Sequence, residues 1–119
     1  MIKAVVFGKG HGCSKCDALK RRLHVFLSQD KYKDIQLVFN DVLTEAGLRE
    51  FLKAEVLNPN RIPALLMADD NGYMTDTRCI DDYAMSATPG ILGVQTDYNK
   101  GGGILPPPVI QELLDTALG

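Results

Sequence analysis

Two cysteines separated by two residues, Cys13 and Cys16, stand where an apolar run gives way to a helical repeat. The stretch reads FGKGHGCSKCDALKRRLHVFL, from Phe7 to Leu27. Upstream, the short β-branched run IKAVVF (2–7) ends at Gly8 and Gly10, the pattern of a buried strand. Downstream, Leu19, Leu23, Phe26 and Leu27 recur at i, i+4, i+7 and i+8, which predicts a helix over about 14–29 with one apolar face. The pair therefore sits at the junction of a strand, a glycine-rich turn and a helix start. Three chemistries suit two cysteines so spaced: a metal clip, a structural disulfide and a working redox couple.

The choice among them depends on compartment. The N-terminal MIKAVVFGKG enters the strand-like run at once, without the long apolar region and small-residue cleavage site of a signal peptide. No apolar run approaches the ~20 residues of a membrane span. A net charge of −2 supplies no electrostatic reason to bind nucleic acid or an anionic membrane. The expected compartment is the cytoplasm, where a close cysteine pair is more often catalytic or metal-binding than structural. With 45% apolar and 24% charged residues, the 119-residue chain is expected to form one domain over 1–119.

Further along, IQLVFND (35–41) reads as a second strand. Thr44 is a candidate N-cap for a helix whose apolar positions are Leu48, Phe51, Leu52 and Val56, stopped by the NPN at 58–60. IPALLMA (62–68) is a third strand entered by a proline. DDNG (69–72) is a turn, and YMTDTRC (73–79) its partner strand in a hairpin. The prolines at 106–108 open a last helix with Val109, Ile110, Leu113, Leu114 and Ala117 on its apolar face. Residues from about 80 to 105 form a long loop before that helix, with the glycines 101–103 near its end. The loop carries Tyr83, Met85, Ile91, Leu92, Val94 and Tyr98, too many apolar groups for a freely solvated linker. It is expected either to pack beside the cysteines and select the partner, with the glycine run as its return hinge, or to be a flap that merely covers core surface.

The order β-α-β-α-β-β-α combines a parallel crossover with an antiparallel hairpin, so the expected α/β fold is a mixed four-stranded sheet flanked by helices. With CSKC after the first strand and RIPALLM at the entry to the third, the chain resembles the thioredoxin superfamily and, within it, the glutaredoxin-like branch. The resemblance covers about residues 2–79 and, more weakly, the last helix. It implies a thioredoxin-like fold, a cis bond between Ile62 and Pro63 facing the cysteines, and a monomeric disulfide reductase or electron carrier. It also implies glutathione as a reductant rather than a bound cofactor. Glutaredoxins usually place a lysine three residues before the first cysteine to meet the glutathione carboxylate. Here Gly10 holds that place and Lys9 precedes it. The family's aspartate for the glutathione amine follows a glycine pair after the fourth strand. Here Asp81 and Asp82 stand without that pair. A dithiol redoxin served by a thioredoxin-reductase-like enzyme is the neighbouring reading, although the WCGPC of thioredoxin itself is absent from this tryptophan-free chain.

The chemistry also follows from the residues. A thiolate attacks a disulfide to give a mixed disulfide, which a second thiol resolves. The attacking sulfur belongs at a helix N-terminus, where free N–H groups and the macrodipole favour the anion. Cys13 meets that condition, and Cys16, one turn in, is the resolving thiol. Lys9, His11 and Lys15 add nearby donors or charge. Pro63 shapes the substrate groove, and the backbone of Ile62, expected to be exposed, is expected to pair with an extended segment of a disulfide-containing protein. The candidate site is thus catalytic Cys13 and Cys16, with Lys9, His11, Ile62, Pro63 and Asp81 binding substrate.

The metal alternative needs more ligands. A closed zinc site takes four, and only Cys79, His11 and His24 remain, with no second Cys-x-x-Cys. An iron–sulfur cluster shared between two chains, each giving Cys13, stays open. The odd Cys79 is expected to be a small buried apolar residue near the end of the fourth strand.

Overall fold

The computed structural model describes residues 1–53, 61–74, 91–96 and 103–119. Strand β1 (Lys3–Gly8) leads through a glycine-rich turn to helix α1 (Ser14–Leu27). After a short 3-10 turn (Asp30–Tyr32) come β2 (Gln36–Asp41) and α2 (Glu45–Lys53). Then follow β3 (Ala64–Asp69), β4 (Gly72–Tyr73), β5 (Gly93–Gln95) and α3 (Pro107–Leu118).

The chain forms an α/β structure with a mixed, open sheet. The α1 crossover makes β1 and β2 parallel, with Val5 opposite Val38. β1 and β3 are antiparallel, with Phe7 opposite Ala64, and β4 returns beside β3. The lane order is β2-β1-β3-β4, with β5 also paired to β3. This arrangement is compatible with a thioredoxin-like fold.

Strand alternation divides the core. Ala4, Val6, Leu65 and Met67 face one side and pack with Leu19 and Leu23 of α1 and Ile110, Leu113 and Leu114 of α3. Val5, Phe7, Leu66 and Ala68 face the other side, where Phe51 of α2 meets Phe7 edge to face at 5.6 Å between centroids. The first side is tied across its rim. Arg22 donates to the Leu105 carbonyl at 2.5 Å, and the buried Tyr32 hydroxyl donates to Asp115 at 2.6 Å.

Several expectations meet a different outcome. Of the strand expected over 73–79, residues 75–79 lie outside the described residues. β4 covers only Gly72 and Tyr73, and the place beside Ala64, Leu65 and Leu66 is taken by Gln95, Val94 and Gly93. A strand continuing from Tyr73 would put position 75 opposite Leu66; position 93 stands there instead, eighteen residues further on. Gly93–Gln95, within the 80–105 segment expected as a loop, therefore belongs to the sheet beside β3. The buried inner side of β3 supplies the reason: its unpaired N–H and C=O groups need a partner, and any returning segment able to pair with them satisfies that need.

In α2, Thr44 caps as expected, its hydroxyl accepting from the Gly47 N–H at 3.0 Å. The helix buries Gly47 and Phe51, whereas Leu48 and Leu52 are 45% and 64% exposed. Phe51 against Phe7 and Gly47 against Asp41 fix the rotation of the helix, which turns the two leucines outward. Val56 lies outside the described residues, as do Cys79, Asp81 and Asp82. Among the described residues no helix is long and apolar enough to cross a membrane.

Candidate functional site

The site begins where β1 ends. The loop after Gly8 turns through Gly12, whose φ of +70° is a left-handed conformation that suits glycine. Cys13 then takes the N-cap of α1 with extended backbone (φ −129°, ψ 94°). Its Sγ accepts the Cys16 N–H at 3.1 Å, and its carbonyl accepts the Asp17 N–H at 3.1 Å. A cysteine thus does the capping that Ser, Thr or Asp usually does.

Cys16 is wholly buried and belongs to the α2-side cluster with Phe7, Ile62 and Ala64, while Cys13 is half-buried against that cluster. The two sulfurs form a disulfide with S–S 2.19 Å and Cα–Cα 5.3 Å. The Lys9 main-chain N–H donates to Cys16 Sγ at 3.4 Å. Gly8 admits this approach. A Cβ there would lie 3.0 Å from Cys16 Sγ and 3.2 Å from a Phe39 ring carbon. The Lys20 ammonium rests over that Phe39 ring, 4.2 Å from its centroid, and pairs with Asp17 at 3.6 Å.

Asp41 supports the loop from the side. Gly10 packs so closely on the Asp41 carboxylate that a side chain at position 10 would overlap it. The same residue anchors the start of α2: Asp41 Oδ1 accepts the Leu43 N–H at 2.9 Å, and the Asp41 carbonyl accepts the Thr44 hydroxyl at 2.7 Å.

The opposite wall is the entry to β3. The Ile62–Pro63 peptide bond is cis. With Phe7 opposite Ala64, Pro63 lies at the same end of the sheet as Gly8. The segment is stitched to the end of β5. Thr96 N–H donates to the Pro63 carbonyl at 3.0 Å, Gln95 Nε2 to the Arg61 carbonyl at 3.1 Å, and Arg61 Nε to the Thr96 carbonyl at 2.9 Å. The Thr96 hydroxyl in turn donates to the Gly103 carbonyl.

Of the residues singled out in the sequence, Cys13, Cys16, Ile62 and Pro63 come together at one end of the sheet. Lys9 and His11 are exposed on the loop leading into the pair. Asp81 lies outside the described residues. Sequence reasoning missed Gly8, Asp41 and Thr96. The only signal for Gly8 was its place at the strand end, and nothing local marks the other two, because their roles arise from contacts across the sheet. Among the described residues no three His, Cys, Asp or Glu side chains converge as metal ligands.

Chemically, the arrangement offers one sulfur at a helix start with partial access, joined to a second that is shielded. A Cys-x-x-Cys pair near a helix start is the placement of a redox-active couple. No protein-family model matches the sequence, and comparison with curated proteins finds no match.

Proposed function

We propose that this chain is a thiol–disulfide oxidoreductase of glutaredoxin-like type in a thioredoxin-like fold, with Cys13 attacking and Cys16 resolving. One observation carries the reading: the half-buried Cys13 sulfur caps α1, receives the Cys16 N–H and is bonded to a wholly buried Cys16. A thiolate at that position gains from the N–H and from the helix dipole, which favour the attacking form of Cys13. The more accessible, half-buried sulfur of Cys13 takes the substrate. The shielded one closes the pair and releases the product thiol.

The substrate is a disulfide in a protein or a mixed disulfide with a small thiol, bound along the groove beside Pro63. Reducing equivalents come from glutathione, or from a thioredoxin-reductase-like enzyme acting on the dithiol. Lys9 and His11 border the entry to Cys13 and supply positive charge and donors to an anionic thiol reductant.

The test is turnover of a disulfide substrate with glutathione and glutathione reductase, run beside NADPH and thioredoxin reductase. Turnover in either system that disappears in Cys13→Ser supports the reading, and the system that works names the reductant. Equal activity of Cys13→Ser and the parent chain ends it.

A further inference from the structure

Disulfide exchange at Cys13 leaves a problem at Cys16. A reducing thiolate reaches the half-buried Cys13 rather than Cys16, which has no exposed surface. As the incoming sulfur bonds to Cys13 Sγ, the Cys13–Cys16 bond breaks and its electron pair departs on Cys16 Sγ. An anion is thereby created in a closed apolar setting of Phe7, Ile62 and Ala64, where an uncompensated charge is costly.

The main chain already holds a donor at that spot. The pairing of β1 ends at Gly8, opposite Asp41, so the next N–H, that of Lys9, is not used in the ladder. It donates to Cys16 Sγ at 3.4 Å. The approach depends on Gly8 lacking a side chain, since a Cβ there would lie 3.0 Å from that sulfur and 3.3 Å from Cys16 Cβ.

We propose that the Gly8–Lys9 peptide is a thiolate cradle for the resolving cysteine, with the Lys9 N–H as its donor and Gly8 as the residue that gives it access. The inference rests on the disulfide-exchange reading and assigns the buried half of that reaction. The dipole is aimed at the sulfur before charge develops, so no group has to turn as the bond breaks. The released Cys16 thiolate then either takes a proton from water or attacks Cys13 Sγ again. In the second case the Cys13–Cys16 bond reforms and the bound thiol leaves as its thiolate. In reduction of a substrate disulfide the same cradle holds Cys16 as the attacking anion. The part of Lys9 that acts is the main chain; its side chain is exposed.

A main-chain donor can be deleted alone. Because residue 13 is a cysteine preceded by Gly12, a synthetic 1–12 thioester can be ligated to recombinant 13–119 to give the full chain. In one product the Gly8–Lys9 amide is replaced by an ester, which removes the N–H and leaves every side chain in place. The control is the all-amide chain made by the same route. The readout is the rate at which dithiothreitol opens the Cys13–Cys16 bond, with circular dichroism melting as the check on folding. The ester chain should be reduced about tenfold more slowly, less than the loss of a short oxyanion donor because this bond is long. Recombinant Gly8→Ala, whose methyl displaces the sulfur, should slow the same step. Equal rates for ester and amide overturn the cradle. Dithiothreitol needs no biological partner, so that result would leave the oxidoreductase reading standing. Absence of turnover on every protein disulfide would instead remove that reading while the cradle measurement stood.

Discussion

The Leu92 N–H donates to the Met74 carbonyl at 2.8 Å, joining the end of β4 to the approach of β5 beside β3. The two residues share one position opposite Met67: Met74 N–H donates to the Met67 carbonyl, and Met67 N–H donates to the Leu92 carbonyl. The β3 ladder therefore passes the point where the chain departs without losing a bond. Both side chains also lie on the α1/α3 side of the sheet, Leu92 in the core and Met74 against it.

This sharing sets the boundaries of a deletion. Removing 75–92 places Gly93 directly after Met74 and restores one continuous register against β3. The shortened chain is expected to fold cooperatively and to form the Cys13–Cys16 bond at the parent rate. A cut at 84–102, suggested by the loop boundaries read from sequence, would remove β5 and Thr96 and is expected to unfold the chain. Urea unfolding of the two variants checks the contrast.

For the cysteines, the expected outcomes differ in kind. Cys13→Ser should abolish disulfide exchange altogether. Cys16→Ser should accumulate a mixed disulfide with a protein substrate, visible as a mass shift lost on reduction, and, where glutathione is the reductant, should keep part of its activity on glutathione mixed disulfides. A Cys16→Ser chain that turns over protein disulfides at the parent rate would show that resolution does not need Cys16.

Gly47 offers a test of sign. In an exposed helix, Gly→Ala gains up to about 1 kcal/mol. Here the new methyl would overlap the Asp41 main chain, including its carbonyl oxygen and carbon. Backbone cannot swing aside as a long side chain can, and overpacking typically costs about 1–3 kcal/mol. Gly47→Ala should therefore destabilise the chain by up to about 2 kcal/mol, the overpacking cost less the propensity gain, as read by urea unfolding. A stabilised variant would mean that α2 is not seated on Asp41.

The pH dependence follows from Asp115. Its hydrogen bonds from Lys31 and then Tyr32 hold the carboxyl below its usual range. A depressed carboxyl stabilises the fold above its unfolded value of about 3.9 and loses that contribution as pH falls through the folded value. Asp115→Asn should lower the melting temperature at neutral pH, and the gap from the parent should close below about pH 4. Asp115 keeps partial exposure, so the effect should be small, about 1 kcal/mol or less. A gap that persists unchanged in acid would assign the effect to packing instead.

What the sequence made legible was whatever depends on neighbours along the chain. The Leu19, Leu23 spacing predicts α1, and the helix ends at Leu27, two residues inside the expected limit. Asp69, Asp70, Asn71 and Gly72 predict a hairpin turn, and the Asp69 carboxylate accepts the Asn71 N–H at 2.8 Å there. The cis bond at Pro63, which the resemblance to the thioredoxin superfamily implies rather than any local signal, is present. What stayed hidden depends on partners across the sheet. Gly93–Gln95 is three residues long, too short for an alternating pattern to register, and it is a strand because β3 is unpaired beside it. In α2, Phe51 is buried as expected, but that Leu48 and Leu52 face outward is decided by Gly47 on Asp41, a contact that no periodicity contains.

The stitching of Arg61 and Pro63 to Gln95 and Thr96 also sets an order of events during synthesis. Translation delivers roughly 5–20 residues each second, so Cys13 and Cys16 leave the ribosome seconds before Thr96 exists. Through that interval the pair lacks the finished proline wall, and α1 lacks Ile110 and Leu113 of α3, against which it packs. A nascent chain thus carries both thiols before the residues that come to wall them are in place, and only the arrival of the last quarter of the protein completes their surroundings.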